Sequence, residues 1–231
     1  DAVVGALLTF LDEQVGKGRY AVVLTADHGV CPIPEQKKIP TAARVMHANV
    51  INELKAVLSE KYGANRKWFE TDEPGVWADL WPWVYLNHAT LKEADLQLEK
   101  VAEVVRDWLA GRGYIEAAFT REDLASVPDD APAVKKAVAL AYRPDRCGDV
   151  IAIPKPGVLV TLYKGGTSHS TPHAYDAHVP FLVMGPGVPS LGKREEKVSS
   201  LQVAPTLAWA LRLPRLKDAR LDPPDALLPK K

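Results

Sequence analysis

The apolar run "YAVVL", residues 20–24, ends in Thr25, Ala26, Asp27, His28 and Gly29. A carboxylate followed by an imidazole at a strand end offers an oxygen and a nitrogen, both ordinary zinc ligands. Gly29 lets the backbone turn sharply past a bulky neighbour. On the tripeptide alone, a strand-end Asp capping the next turn beside a merely polar His28 fits equally well. The second stretch is "GGTSHSTPHAYDAH", residues 165–178. Here His169, His173 and His178, half of the chain's six histidines, fall close together with Asp176. Ligands of open α/β sheets bind at the carboxyl ends of strands. A histidine-rich loop at the same sheet edge as Asp27 and His28 is therefore a place for a metal ligand, though not for all three histidines. His47 and His88 stand apart and read as surface or local packing residues.

The elements that must position these side chains follow from periodicity. Residues 2–16 read as an amphipathic helix carrying Val3, Val4, Leu7, Leu8 and Leu11, closed by Gly16 and Gly18. Residues 20–25 read as a buried parallel strand, and a helix leading into such a strand is an α/β signature. "NVINELKAVLSEKYG" is a helix ended by Gly63. In "ADLQLEKVAEVVRDWLAGRGY", Leu98, Val101, Ala102, Val105, Trp108 and Leu109 form one stripe before Gly111. Between these helices lie Trp68, Trp77, Trp81 and Trp83, read first as core and second as a roof over a site. "WVYLN", "IEAAFT" and "DVIAIPK" read as strands, "REDLAS" and residues 132–141 as short helices. "VPFLVMGPGV" reads as a second buried strand, stopped by Gly185-Pro186-Gly187. The last helix begins near Ser199 or Ser200, with Pro205 in its first turn. This divides the chain into an α/β core, residues 1–40 and 161–231, with a small α+β subdomain at 41–160 inserted in it.

Composition narrows the function classes. The 231 residues carry 29 basic and 29 acidic side chains and a net charge of zero, which argues against a nucleic-acid surface. Mean hydropathy is −0.12, and no apolar run approaches the roughly 20 residues of a membrane span. The two cysteines, Cys31 and Cys147, are too few for a disulfide framework and read as small packed residues. The chain opens on Asp1 inside a helical pattern with no N-cap before it, as expected of a piece of a longer protein.

"LTADHG", then "RCGD", then "GGTSHSTPHAYDAHVPFLVMGPG", then "VSSLQVAPTLAWAL", in that order, resemble the alkaline phosphatase superfamily. The likeness is strongest to its type I phosphodiesterase/nucleotide pyrophosphatase branch and the related bacterial alkaline phosphatases. The branch pattern is T-A-D-H-G, R-S-G-D, T-H-G-x-x-Y-D-x-x-V-P and D-I-A-P-T. The resemblance implies the C-terminal part of an α/β/α sandwich and a phosphoester hydrolase using two zinc ions. It implies Asp27 and His28 as ligands of one ion and His169 as a ligand of the other, leaving His173 and His178 out. The implied substrate is a small-molecule phosphate mono- or diester. The implied location is periplasmic or secreted. The implied Thr or Ser nucleophile, and the remaining ligands, belong to an N-terminal half of the same protein, so no residue of this chain is read as the nucleophile.

Three positions depart from the pattern. Cys147 stands for Ser, His169-Ser170 stands for His-Gly, and Gln202 stands for Asp. None removes an implied ligand, and the His-Ser change bears on the approach to the metal. The rival reading is a catalytically inactive α/β binding module that keeps only an echo of D-H-G.

Overall fold

The computed structural model describes residues 1–70 and 81–228, so Trp77 lies outside the described residues. In chain order the elements begin with α1 (Ala2–Leu11), β1 (Val22–Leu24), β2 (Ala43–Met46), α2 (His47–Tyr62) and β3 (Trp83–Val84). There follow α3 (His88–Glu93), α4 (Leu98–Ala110), β4 (Ile115–Thr120), α5 (Arg121–Ala125) and α6 (Ala133–Ala141). Next come β5 (Val150–Pro154), β6 (Val158–Thr161), α7 (Ala174–Ala177), β7 (Leu182–Met184) and α8 (Val203–Ala210). The described chain forms two compact units, Asp1–Asp27 with Val179–Lys231, and His28–His178.

In the first unit, α1 is closed by a wider turn at Asp12–Gly16, and Tyr20 Oη donates to Asp12 Oδ1 at 2.7 Å. β1 pairs with β7 in antiparallel register, Leu24 opposite Leu182 and Val22 opposite Met184. The pairing is antiparallel, where the sequence reading has the first strand parallel. Alternate side chains of a strand point to opposite faces. In this two-stranded ribbon Leu24, Leu182 and Met184 share a face that is about half exposed. An unbroken apolar run cannot distinguish that arrangement from a strand covered on both sides. Ser199 and Gln202 form a reciprocal cap over a single turn of tighter helix at Ser200–Gln202, ahead of α8. Gln202 Oε1 accepts from Ser199 N at 2.9 Å, so the residue standing for Asp supplies the acceptor that this cap needs. Pro205 falls in the first turn of α8, where it has no helical partner to lose.

The second unit holds the larger core. β3, β5 and β4 form an antiparallel sheet in that order, and β2 pairs with β6 in parallel. Central strand β5 is buried on both faces. Val150 and Ala152 face Val50, Leu54 and Leu58 of α2, and Val101, Ala102, Val105 and Leu109 of α4. Ile151 and Ile153 face Leu124 of α5 and Val138 of α6. The stripe on α4 is the one its spacing predicts, and its last turn closes at Gly111. Trp68 is fully buried, with its indole N–H donating to Ser59 Oγ at 3.0 Å. Trp81 packs partly buried against the same cluster and also lines the small cavity beside His169, while Trp83 packs against the other cluster.

Asp149, only 2 % exposed, ties three segments of this unit together. It accepts from Leu86 N at 2.8 Å, from His88 Nε2 at 3.0 Å, and pairs with Arg121 Nε at 3.1 Å. A buried carboxylate with three charge-assisted or backbone donors is satisfied, which explains the Asp of "RCGD" as a structural hub. His88 is its partner, and His47 is buried edge-on to Trp81, where burial holds its imidazole below the ordinary pKa.

Candidate functional site

The two chemistry-bearing stretches meet inside the second unit. The His28 and His169 rings stack with centroids 3.4 Å apart and planes 14° from parallel. Five hydrogen bonds hold them there. Gly29 N donates to Asp176 O at 2.8 Å, and Cys31 N donates to Ser168 O at 2.9 Å. Thr167 Oγ1 donates to Cys31 O. Thr171 donates to Asp176 Oδ2 from its N at 2.9 Å and from its Oγ1 at 2.6 Å.

The glycine of D-H-G is required by this stitching. A Cβ on Gly29 would lie 2.0 Å from the Tyr175 carbonyl oxygen. The reason is therefore close approach of two backbones rather than a special dihedral. Ser170 is the opposite case. It replaces the pattern's Gly and takes φ +102°, a conformation that costs a side-chain-bearing residue about 1–2 kcal/mol.

The ring nitrogens are oriented by local acceptors. His28 Nδ1 donates to Gly29 O at 2.7 Å, so the lone pair of the neutral ring is on Nε2. That is the usual arrangement of a metal-binding imidazole. Ser170 Oγ lies 3.4 Å from His169 Nδ1. Lone pairs lie in the ring planes. Two nearly parallel planes 3.4 Å apart share no point within the roughly 2.0–2.1 Å of a metal–nitrogen bond. The stacked pair therefore offers two separate donor directions, not a chelate for one ion. Among the described residues, no group of three or more His, Cys, Asp or Glu side chains is placed to hold one ion.

The other histidines have different work. His173 Nε2 donates to Pro154 O at 2.8 Å and lies 3.8 Å from Glu116 Oε2, anchoring the loop to the ends of β5 and β4. His178 is exposed, and its backbone N–H donates to Ala174 O at 2.8 Å. Asp27 is exposed at the end of the first unit, two residues beyond Thr25 of the β1 run.

Beside the stack is a small cavity lined by Cys31, Ser168, His169, Thr171 and Asp176, with room for about one water molecule. Asp176 is 4 % exposed, and its Oδ1 has no hydrogen-bond partner among the described residues. Burial pushes the Cys31 thiol up, and burial pushes the Tyr175 hydroxyl up to about 12. Neither is thus an ionised nucleophile near neutral pH. Both cysteines are free thiols. Spacing alone gave Asp176 no role. Its signal was its place after Tyr175 in the loop, six residues before the strand at Leu182.

A chain of mixed helix and sheet with this stitched pair of segments has known counterparts. Residues 1–178 match the family model for type I phosphodiesterase / nucleotide pyrophosphatase. The chain belongs to that family, within the alkaline phosphatase superfamily. It is 30 % identical over 208 residues to the alkaline phosphatase PafA of Elizabethkingia meningoseptica, covering 88 % of this chain and 36 % of PafA. It is 28 % identical over 214 residues to the alkaline phosphatase PhoV of Synechococcus elongatus, covering 88 % of this chain and 35 % of PhoV. The crystal structure of wild-type PafA superposes with a TM-score of 0.81 at 26 % identity, over 99 % of this chain and 42 % of that chain. The α/β fold expected from the motifs is thus the alkaline phosphatase fold, and the chain spans little more than a third of the curated relatives it matches.

Proposed function

We propose that this chain is the metal-ligand-bearing C-terminal part of a two-zinc phosphoester hydrolase. The observation that carries the reading is the contact of His28 with His169. Two stretches far apart in sequence, each matching a family motif, bring their imidazoles to 3.4 Å with donor directions that cannot serve one ion. Asp27 and His28 would serve one ion and His169 the other. That assignment asks for two side chains at one position and one at the second, so it needs no group of three within this stretch. Oxygen and imidazole nitrogen are suitable donors for zinc. Zinc held by these residues would supply Lewis-acid stabilisation of the charge that develops in phosphoryl transfer.

This chain's own residues bind and orient. Gly29 O fixes the His28 ring through Nδ1, and the Asp176–Thr171 contacts fix the turn that follows His169. A Thr or Ser nucleophile and the remaining ligands would come from the upstream part of the protein, as the length of the relatives supports. The exposed apolar side chains of α1, with Val3 82 % and Phe10 57 % exposed, support burial of that helix against the rest of the fold. Residues 41–160 would form a lobe inserted in that fold. The substrate would be a small phosphate mono- or diester, and the location periplasmic or secreted. No described helix is long and apolar enough to cross a membrane.

Zinc content and phosphoester hydrolysis, measured on the protein expressed from its whole reading frame, test the proposal. About two zinc ions per chain are expected, with the content falling when Asp27 or His169 becomes Ala. Hydrolysis of p-nitrophenyl phosphate or its diester should fall by at least about a hundredfold in the same variants. A protein that binds no zinc and cleaves neither ester is the inactive binding module instead.

A further inference from the structure

We propose that Asp176 is the positioning residue that holds His28 and His169 in register for metal binding; the inference rests on the two-zinc reading above. Asp176 works on both ligand-bearing segments at once. Its main-chain carbonyl receives Gly29 N, one residue after His28, at 2.8 Å. Its Oδ2 receives both the N and the Oγ1 of Thr171, two residues after His169, at 2.9 and 2.6 Å. Around it, Cys31 N to Ser168 O and Thr167 Oγ1 to Cys31 O close the same seam from the other end.

Packing alone does not explain the side chain. Asp176 is 4 % exposed, and its Oδ1 is buried without a hydrogen-bond partner among the described residues. Burying a carboxylate carries a desolvation cost that an apolar side chain of similar volume would avoid. What an apolar side chain would lack is the oxygen that accepts both Thr171 donors. The turn around Ser170 needs such an anchor, because Ser170 is held at φ +102°, where a non-glycine residue does not settle unaided. Residues that orient metal ligands without touching the ion commonly carry ten- to a hundredfold of the affinity.

The test compares Asp176→Ala, Asp176→Asn and Thr171→Val in the protein expressed from its whole reading frame. Zinc affinity is measured by chelator competition, with circular dichroism and thermal melting of the metal-free protein beside it. Asp176→Ala is expected to weaken zinc binding by about ten- to a hundredfold while the metal-free spectrum stays native. Asp176→Asn, whose amide oxygen can still accept from Thr171, should recover most of that loss. Thr171→Val, which keeps the backbone bond, should lose several-fold. With p-nitrophenyl phosphate, excess zinc should restore most of the kcat of Asp176→Ala, which a fold defect would not allow.

Zinc affinity within about threefold of the parent in Asp176→Ala overturns the inference, and if that variant does not fold, unchanged affinity in Thr171→Val does so. A parent that binds no zinc overturns the two-zinc reading itself. A parent that binds two ions, beside variants that bind them as tightly, overturns only the role of Asp176.

Discussion

Ser170 concentrates the conflict between sequence and backbone in this loop. The family pattern has Gly where Ser170 holds φ +102°. Glycine removes a left-handed penalty of about 1–2 kcal/mol but adds unfolded-state entropy worth about 0.5–1 kcal/mol. Ser170→Gly is therefore expected to stabilise the chain by up to about 1 kcal/mol, read as an upward shift of about 2–4 °C in the melting temperature. A melting temperature at or below that of the parent would show that the Ser170 hydroxyl, 3.4 Å from His169 Nδ1, contributes more than the strain costs. At Gly29 the argument reverses, since any Cβ meets the Tyr175 carbonyl.

At the scale of elements, Arg44 of β2 joins the segment after D-H-G to the loop before His169. Its guanidinium grips Glu35 in a bidentate pair, Nε to Oε1 at 2.7 Å and Nη2 to Oε2 at 2.9 Å. It also donates to Tyr163 O at 3.1 Å and Gly166 O at 2.7 Å. The hydrogen bonds from Arg44 hold the Glu35 carboxyl down at about 2, against an ordinary 4.5. A carboxyl depressed in the folded state stabilises it fully above the unfolded value and loses that contribution as pH falls through the folded one. The Arg44–Glu35 share of stability should be whole above about pH 4.5 and vanish as pH approaches 2. In urea titrations, Glu35→Gln is expected to lower the midpoint at pH 6 and to converge with the parent near pH 2. Parallel midpoint curves across that range would mean that the ionised pair contributes nothing.

For the whole molecule, the second unit's core around β5 sets stability. Leu54 is fully buried between α2 and the sheet, whereas Leu140 of α6 is 80 % exposed. Leu54→Ala is expected to cost about 2–5 kcal/mol, and Leu140→Ala no more than about 0.5 kcal/mol, in equilibrium urea unfolding. A Leu54→Ala cost below about 1 kcal/mol would mean that the cavity collapses and the core is not close-packed there. Asp149 adds specificity to this core by fixing Leu86, His88 and Arg121 about one carboxylate.

Sequence alone determined what depends on neighbours along the chain. The α4 stripe from Leu98 to Leu109, the stop at Gly111, Pro205 in the first turn of α8 and the strands at 115–120 and 150–154 are all local matters of period, cap and breaker. The order of the D-H-G, R-C-G-D, histidine-loop and A-P-T stretches likewise marked the family before any coordinates. Tertiary structure alone decided what depends on partners distant in sequence. The runs at 20–25 and 150–154 look alike as apolar stretches. Yet β1 pairs antiparallel with β7, while β5 is the central strand of a three-stranded sheet and is covered on both faces, because a strand's partners are set by the tertiary fold. The stacking of His28 on His169 is also tertiary. Spacing named both residues, but only the seam through Gly29, Cys31, Ser168, Thr171 and Asp176 brings their rings together.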